Sequence, residues 1–289
     1  MRRLAGCRVA PGAFRPALVV PAFTTSDGSE GTVTVLGAPA EPVVVLPGGP
    51  LQQSRYLGNL GGLDARRELV VLELPHRRVD QIVPDVEALR EHLGRETLDV
   101  LAHSAGANLA MLYATAYPDR VSKLALITPS RRAVGGPPTP EDQAPIYEQR
   151  AHQPWYAEAR AAMDACDAGT ATPEQRQLAW ALAYGRWDAA ARAHAAAEPD
   201  QATPGAQGIY YADGALDPEA TRTALAKVSA DVLVLLGGAD PIMPARLGVE
   251  LAALFSNAEV IVQPGIGHFP GLDDPAWFVE TVSRFLAGR

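Results

Sequence analysis

Cysteine is nearly absent from this chain of 289 residues: Cys7 and Cys166 are the only two. A pair so far apart makes no disulfide framework and lacks the spacing of a metal site. Lysine is equally scarce, with Lys123 and Lys227 alone, so arginine supplies almost all the positive charge. That bias reads as a GC-rich coding background and not as a chemical demand. There is no surplus of positive charge either. The net charge is -8 and the isoelectric point is near 5.3, which excludes nucleic acid and an anionic membrane face as expected partners. No apolar run reaches the ~18 to 20 residues of a membrane span. Residues 4–7, Leu-Ala-Gly-Cys, have the local pattern of a lipoprotein cleavage site, but no apolar stretch of about 7 to 15 residues precedes them. The expectation is a cytoplasmic protein.

What remains is a globular composition, 47% hydrophobic and 20% charged, in a chain long enough to bury a sizeable core. Short, β-branched, continuous apolar runs mark strands buried on both faces. They fall at 42–46, 68–74, 98–102, 123–127, 231–236 and 259–262, with two further strands near 17–20 and 31–36. Helical periodicity covers 79–93, with Ile82, Val86 and Leu89 in register, and a helix rich in small residues covers 105–117. A final helix spans 276–286. Strands alternating with helices predict a mostly parallel, doubly wound sheet. The alternation breaks once. Between residues 130 and 226 no strand signal appears, and helical patterns near 157–167, 173–183 and 188–197 follow a Pro/Gly-rich opening. The expected organisation is an α/β core, 1–130 and 227–289, interrupted by a helical cap, 131–226.

Four stations carry chemistry. Ala102-His103-Ser104-Ala105-Gly106 stands at a strand-to-helix junction. A sharp turn there exposes the serine above the sheet edge, and it demands small residues two before and two after. Ala102 and Gly106 are small, and the helix that follows aims its N–H groups at a developing negative charge. Pro47-Gly48-Gly49-Pro50 ends a buried strand. Acyl-transfer chemistry needs two N–H donors for its oxyanion, and Ala105 and Gly49 are the candidates. Asp240 follows the fifth strong strand, and His268, between Gly267 and Phe269, follows the sixth. An aspartate so placed orients an imidazole. Each station alone also reads as an ordinary turn. Together they stand in the order loop, Ser, Asp, His, each after a strand. His103 adjoins the serine, so on the turn it should point elsewhere.

With these residues in place the sequence resembles the α/β-hydrolase superfamily over essentially the whole chain. More narrowly, Leu46-Pro47-Gly48-Gly49-Pro50 and the stretch 98–129 are similar to proline iminopeptidases. The resemblance implies an α/β-hydrolase fold, the triad Ser104, Asp240 and His268, oxyanion donors at Gly49 and Ala105, and no metal or organic cofactor. It also implies acidic cap residues that hold a substrate's amino group, for which Glu148 and the pair Trp187-Asp188 are candidates, with Gly48 lining the substrate side. Departures lie at the rim: Pro47 replaces the family's histidine, Leu51 a common glycine, and Glu73-Leu74-Pro75-His76-Arg77 a glycine-rich segment. Two substrate classes are therefore expected to compete, a short peptide or amide and an ester, lactone or thioester. The six aromatics Trp155, Tyr156, Trp180, Tyr184, Tyr210 and Tyr211 are candidates to line the pocket of the second class. The same fold also hosts cofactor-independent lyases and oxygenases and non-catalytic ligand receptors. Oligomeric state is not legible.

Overall fold

A computed structural model describes residues 18–288; residues 4–7, Cys7 and Ala17 lie outside the described residues. Eight strands form one sheet: β1 (Leu18–Thr24), β2 (Glu30–Leu36), β3 (Pro42–Leu46), β4 (Glu68–Leu72), β5 (Leu98–His103), β6 (Val121–Ile127), β7 (Asp231–Gly237) and β8 (Ala258–Gln263). Their spatial order is β1-β2-β4-β3-β5-β6-β7-β8. β1 and β2 pair antiparallel to their neighbours, and every pair from β4 to β8 is parallel. The expected mostly parallel sheet is thus present.

The helices are α1 (Val79–His92), α2 (Gly106–Ala116), α3 (Pro140–Arg150), α4 (Tyr156–Asp167), α5 (Pro173–Ala179), α6 (Ala189–Ala196), α7 (Ala206–Tyr210), α8 (Pro218–Leu225), α9 (Ala245–Ala252), α10 (Pro270–Asp273) and α11 (Pro275–Ala287). The period-two alternation of the central strands divides their side chains between two cores. Val44, Leu46, Val100, Val232 and Val234 pack with Ile82, Val86 and Leu89 of α1 and Leu109 of α2. Val43, Val45, Leu101, Leu233 and Leu235 pack with Phe278, Val282 and Leu286 of α11. Residues 43–46 expose nothing to solvent, as strands covered on both faces should.

Differences from the expected elements have local causes. β4 ends at Leu72, and Glu73 beyond it still donates its N–H to Thr32 O of β2 at 3.1 Å while its carboxylate accepts from Thr34 Oγ1 at 2.7 Å and from the Ser54 hydroxyl. α3 sits in a proline-rich stretch. Pro140 occupies its first position, and Thr139 and Asp142 close a capping box, so the proline starts the helix where it needs no N–H. The expected helix 173–183 is α5 followed by a tighter turn over residues 180–183. The Arg150 guanidinium draws out the carbonyls of Ala181, Leu182 and Tyr184 there. All six helices α3–α8 lie between β6 and β7. Among the described residues no helix is long and apolar enough to cross a membrane. The loops that follow β3, β5, β7 and β8 open at the carboxyl edge of the sheet, where parallel sheets present their sites.

Candidate active site

β5 ends in His103, and the chain then turns so sharply that Ser104 adopts a φ of 50°. This left-handed conformation is uncommon for a residue with a Cβ and stores strain. The turn is held by three backbone bonds: Ser104 N–H to Ile127 O at 3.1 Å, Ala107 N–H to Ser104 O at 3.0 Å, and Ser130 N–H to Ser104 O at 2.9 Å. Any Cβ on Gly106 would overlap the carbonyls of Leu46 and Pro47, so glycine is required for α2 to lie against the end of β3. Asn108, fully buried in the first turn of α2, accepts from Ala133 N–H at 2.8 Å and donates to Tyr211 Oη at 2.8 Å. It thereby fixes the segment that leaves β6.

His268 reaches Ser104 from the loop after β8. Its Nε2 lies 2.8 Å from Ser104 Oγ and its Nδ1 2.8 Å from Asp240 Oδ2. A carboxylate only accepts, so Nδ1 carries the proton, and Nε2 is left as the acceptor of the serine hydroxyl. Asp240 is wholly buried, and its other oxygen accepts from Ile242 N–H at 2.8 Å. The backbone of His268 is clamped on both sides. Its N–H donates to Ala183 O at 2.6 Å. Its carbonyl accepts from His103 Nε2 and from Thr128 Oγ1, each at 2.9 Å. The preceding residue is fixed by Asp273, whose carboxylate accepts from Gly267 N–H at 2.7 Å, Gly185 N–H at 2.8 Å and Arg186 N–H at 3.3 Å. Burial pushes the Asp273 carboxyl above its ordinary value, against the pull of those three N–H groups.

The loop after β3 passes directly beside the serine. A Cβ on Gly48 would come 2.7 Å from Ser104 Cβ and 2.7 Å from His103 O, so only glycine allows this approach. Gly49 has a φ of 47°. The Gly48 N–H is taken by Tyr56 Oη at 2.5 Å. The N–H groups of Gly49 and Ala105 have no acceptor among the described residues. Two free donors beside a serine hydroxyl can stabilise an oxyanion.

The family model described as the alpha/beta hydrolase fold matches residues 64–275, more than half of the chain. The chain belongs to the alpha/beta hydrolase fold family. Its relatives and structural neighbours are hydrolases. It is 31% identical over 102 residues to a (lyso)-N-acylphosphatidylethanolamine lipase from Homo sapiens, a match that covers 30% of each protein. The chain therefore spans less than a third of the length of the curated relatives it matches. Among solved structures it is similar to a 2-hydroxy-6-oxo-6-phenylhexa-2,4-dienoate hydrolase from Rhodococcus sp. strain RHA1, with a TM-score of 0.68 and 18% identity, over 94% of this chain and 100% of that one. A proline iminopeptidase from Mycobacterium smegmatis gives a TM-score of 0.68 at 24% identity, over 94% and 97%. Such structural likeness speaks for the fold alone.

None of the three residues singled out from sequence between 131 and 226 is hydrogen-bonded to Ser104, His268 or Asp240 among the described residues. Asp188 is exposed and caps α6, accepting from Ala190 N–H at 3.0 Å and Ala191 N–H at 3.1 Å. The Ala191 bond leads the causes that hold its carboxyl below the usual range. Glu148 is exposed on α3. Trp187 packs against Tyr184 with ring centres 5.5 Å apart. Pattern reading missed a different acid, Glu198. It is half-buried and shares a small cavity with Gln52, Trp180 and Tyr184. Gln52 lies against Gly49, so this cavity adjoins the loop after β3. Glu198 and Trp180 also line a cleft of about 730 Å³ together with Met163, Leu182 and Ile242. Burial raises the Glu198 carboxyl, and among the described residues no cation pairs with it. Of the six aromatics, Trp180 lines both cavities, whereas Tyr210 is wholly buried and Tyr211 holds Asn108. No cluster of His, Cys, Asp and Glu suited to a metal ion occurs among the described residues.

Proposed function

We propose that this enzyme is a serine hydrolase that cleaves an amide or ester bond of a small substrate through an acyl-enzyme. The observation that carries this reading is the unbroken line Ser104 Oγ, His268, Asp240, with 2.8 Å at both bonds. His268 Nε2 removes the Ser104 proton as Oγ attacks the carbonyl carbon. Asp240 holds the tautomer and stabilises the imidazolium. The N–H groups of Gly49 and Ala105 receive the oxyanion. His268 then protonates the leaving group, and a water activated by the same imidazole breaks the acyl-enzyme. The contribution of Gly48 is close approach, since its own N–H is occupied by Tyr56. We read residues 131–226 as a cap on the core formed by 1–130 and 227–289.

For the substrate, Glu198 supports a proline iminopeptidase-like reading. An uncompensated, half-buried carboxylate in a cavity next to the oxyanion loop is costly unless a cation joins it, and a free amino group supplies one. In this reading Glu198 takes the anchoring role for which the resemblance to proline iminopeptidases suggested Glu148 and Trp187-Asp188. The apolar wall of the adjoining cleft, Met163, Leu182 and Ile242, favours an ester of an acyl chain as the second reading.

Proline and alanine nitroanilides compared with nitrophenyl esters of rising chain length separate the two. The peptidase reading expects nitroanilide turnover that falls when the substrate's amino group is acetylated and when Glu198 becomes Gln. Turnover of esters alone, rising with chain length and indifferent to Glu198→Gln, would contradict it.

A further inference from the structure

One buried hydrogen-bonded chain runs behind the catalytic residues, and its direction is fixed at every link. The carbonyl of His268 can only accept, so His103 Nε2, at 2.9 Å, carries a proton and donates it. Burial and the neighbouring His268 push His103 down to about 3, so the ring is neutral and its Nδ1 is an acceptor. The partner of Nδ1 is Tyr56 Oη at 2.8 Å, which must therefore donate. That leaves the Tyr56 oxygen to accept, and it does so from Gly48 N–H at 2.5 Å. The chain reads Gly48 N–H to Tyr56 Oη, Tyr56 O–H to His103 Nδ1, and His103 Nε2–H to His268 O. His103 is 4% exposed and Tyr56 7%, and both border a pocket of about 470 Å³ with His194 and Phe269. The ends of the chain belong to the oxyanion loop and the catalytic histidine, and its centre is the residue before the nucleophile.

We propose that Tyr56 and His103 are positioning residues that hold the Gly48–Gly49 loop and His268 in register with Ser104. The proposal rests on the reading of Ser104 as nucleophile. Neither side chain hydrogen-bonds to Ser104 Oγ or to the ring nitrogens of His268, although the His103 and His268 rings pack with centres 5.0 Å apart. Tyr56 sets the Gly48 peptide, and with it the direction of the Gly49 N–H. His103 sets the carbonyl of His268, and with it the height of the imidazole above Oγ. A second clamp, Thr128 Oγ1 on the same carbonyl, supports only the histidine end. At the loop end Tyr56 is the acceptor of the Gly48 N–H, and a Gly48 that lost it would be left with an unpartnered N–H in a buried place, although Gln52 N–H on Gly49 O at 2.6 Å and Thr203 Oγ1 on Leu51 O at 2.8 Å also brace the loop.

The test uses the full chain and the rate at which a fluorophosphonate labels Ser104, which requires no natural substrate. Tyr56→Phe removes one oxygen and preserves the ring. It is expected to slow labelling by about tenfold to a hundredfold, the size of effect that a small misplacement of catalytic groups produces. His103→Gln, which retains one donor and one acceptor, should label faster than His103→Leu, which retains neither. Proton NMR gives a readout that mere loss of stability would not move. The downfield resonance of the His268 Nδ1 proton bonded to Asp240 should shift in Tyr56→Phe while the melting curve stays cooperative. Wild-type labelling rates in Tyr56→Phe, or equal rates for the two His103 variants, would overturn the proposal. If His103→Leu does not fold, Tyr56→Phe and His103→Gln decide. A wild type that resists labelling would count against Ser104 instead, and the NMR comparison alone would then judge the network.

Discussion

His103 ties the stability of the fold to pH on the acid side. In the unfolded chain its imidazole takes a proton near 6.5, whereas the folded site holds it down to about 3. Between those values the unfolded chain binds the extra proton and the folded one does not. Its contribution to stability is therefore complete above about pH 6.5 and is lost as the pH falls toward 3. Each pH unit in that window is worth about 1.4 kcal/mol, so from pH 6.5 to 4.5 the loss through this one residue is about 2 to 3 kcal/mol. That is a large part of the ~5 to 15 kcal/mol that holds a domain folded. The perturbation is His103→Gln, which has no titration in this range. The assay is urea unfolding of both proteins at pH 7.5, 6.5, 5.5 and 4.5. Other groups contribute to both curves, so the difference between the curves isolates His103. The variant starts less stable and should close about 2 to 3 kcal/mol of the gap by pH 4.5. Parallel curves would refute the reasoning, because they would mean that His103 takes its proton equally well in both states.

Other expectations follow from the same geometry. Asp240→Asn should lower kcat by about 10⁴-fold with a small change in KM, because the amide imposes the wrong tautomer on His268; steady-state kinetics on any turned-over nitrophenyl ester reads this. Arg150→Met should cost about 3 kcal/mol or more in thermal or urea unfolding, since it strips donors from buried carbonyls of Ala181, Leu182, Tyr184 and Ala239. The same variant should lower kcat, because Ala239 precedes Asp240 and the carbonyl of Ala183 holds His268. Gly48→Ala should slow fluorophosphonate labelling more than it shifts the melting temperature, because the new methyl meets Ser104 Cβ and His103 O at 2.7 Å in the site itself.

The hydrogen-bonded line of Ser104, His268 and Asp240 was legible because its three polar residues each follow a short apolar strand, a local pattern. Ala102 and Gly106 also disclosed the tight turn, since packing of α2 against Leu46 and Pro47 admits nothing larger than hydrogen at Gly106. The roles of Tyr56 and His103 were not legible. Their contact joins residues 47 apart and depends on which way a loop folds over the sheet. Sequence reading expected His103 to turn away from the site, and it does so by turning into the network beneath His268. The helical stretch 131–226 was the least readable part. Asp188, Glu148 and Glu198 are all acids on or beside helical patterns, and only burial distinguishes them. One local signal was available, however: Asp188 directly precedes the alanine run of α6, the place of a helix N-cap. α3 was hidden by Pro140 and Pro145, which read as breakers until Thr139 is recognised as the cap.

The proposed mechanism turns on Ser104 as the nucleophile. Incubation of the wild type and of Ser104→Ala with a fluorophosphonate, followed by intact mass and peptide mapping, measures it. A nucleophilic Ser104 gives one covalent adduct per wild-type chain, on that residue, and none on the variant. No adduct on the wild type, or an adduct that persists in Ser104→Ala, would contradict it.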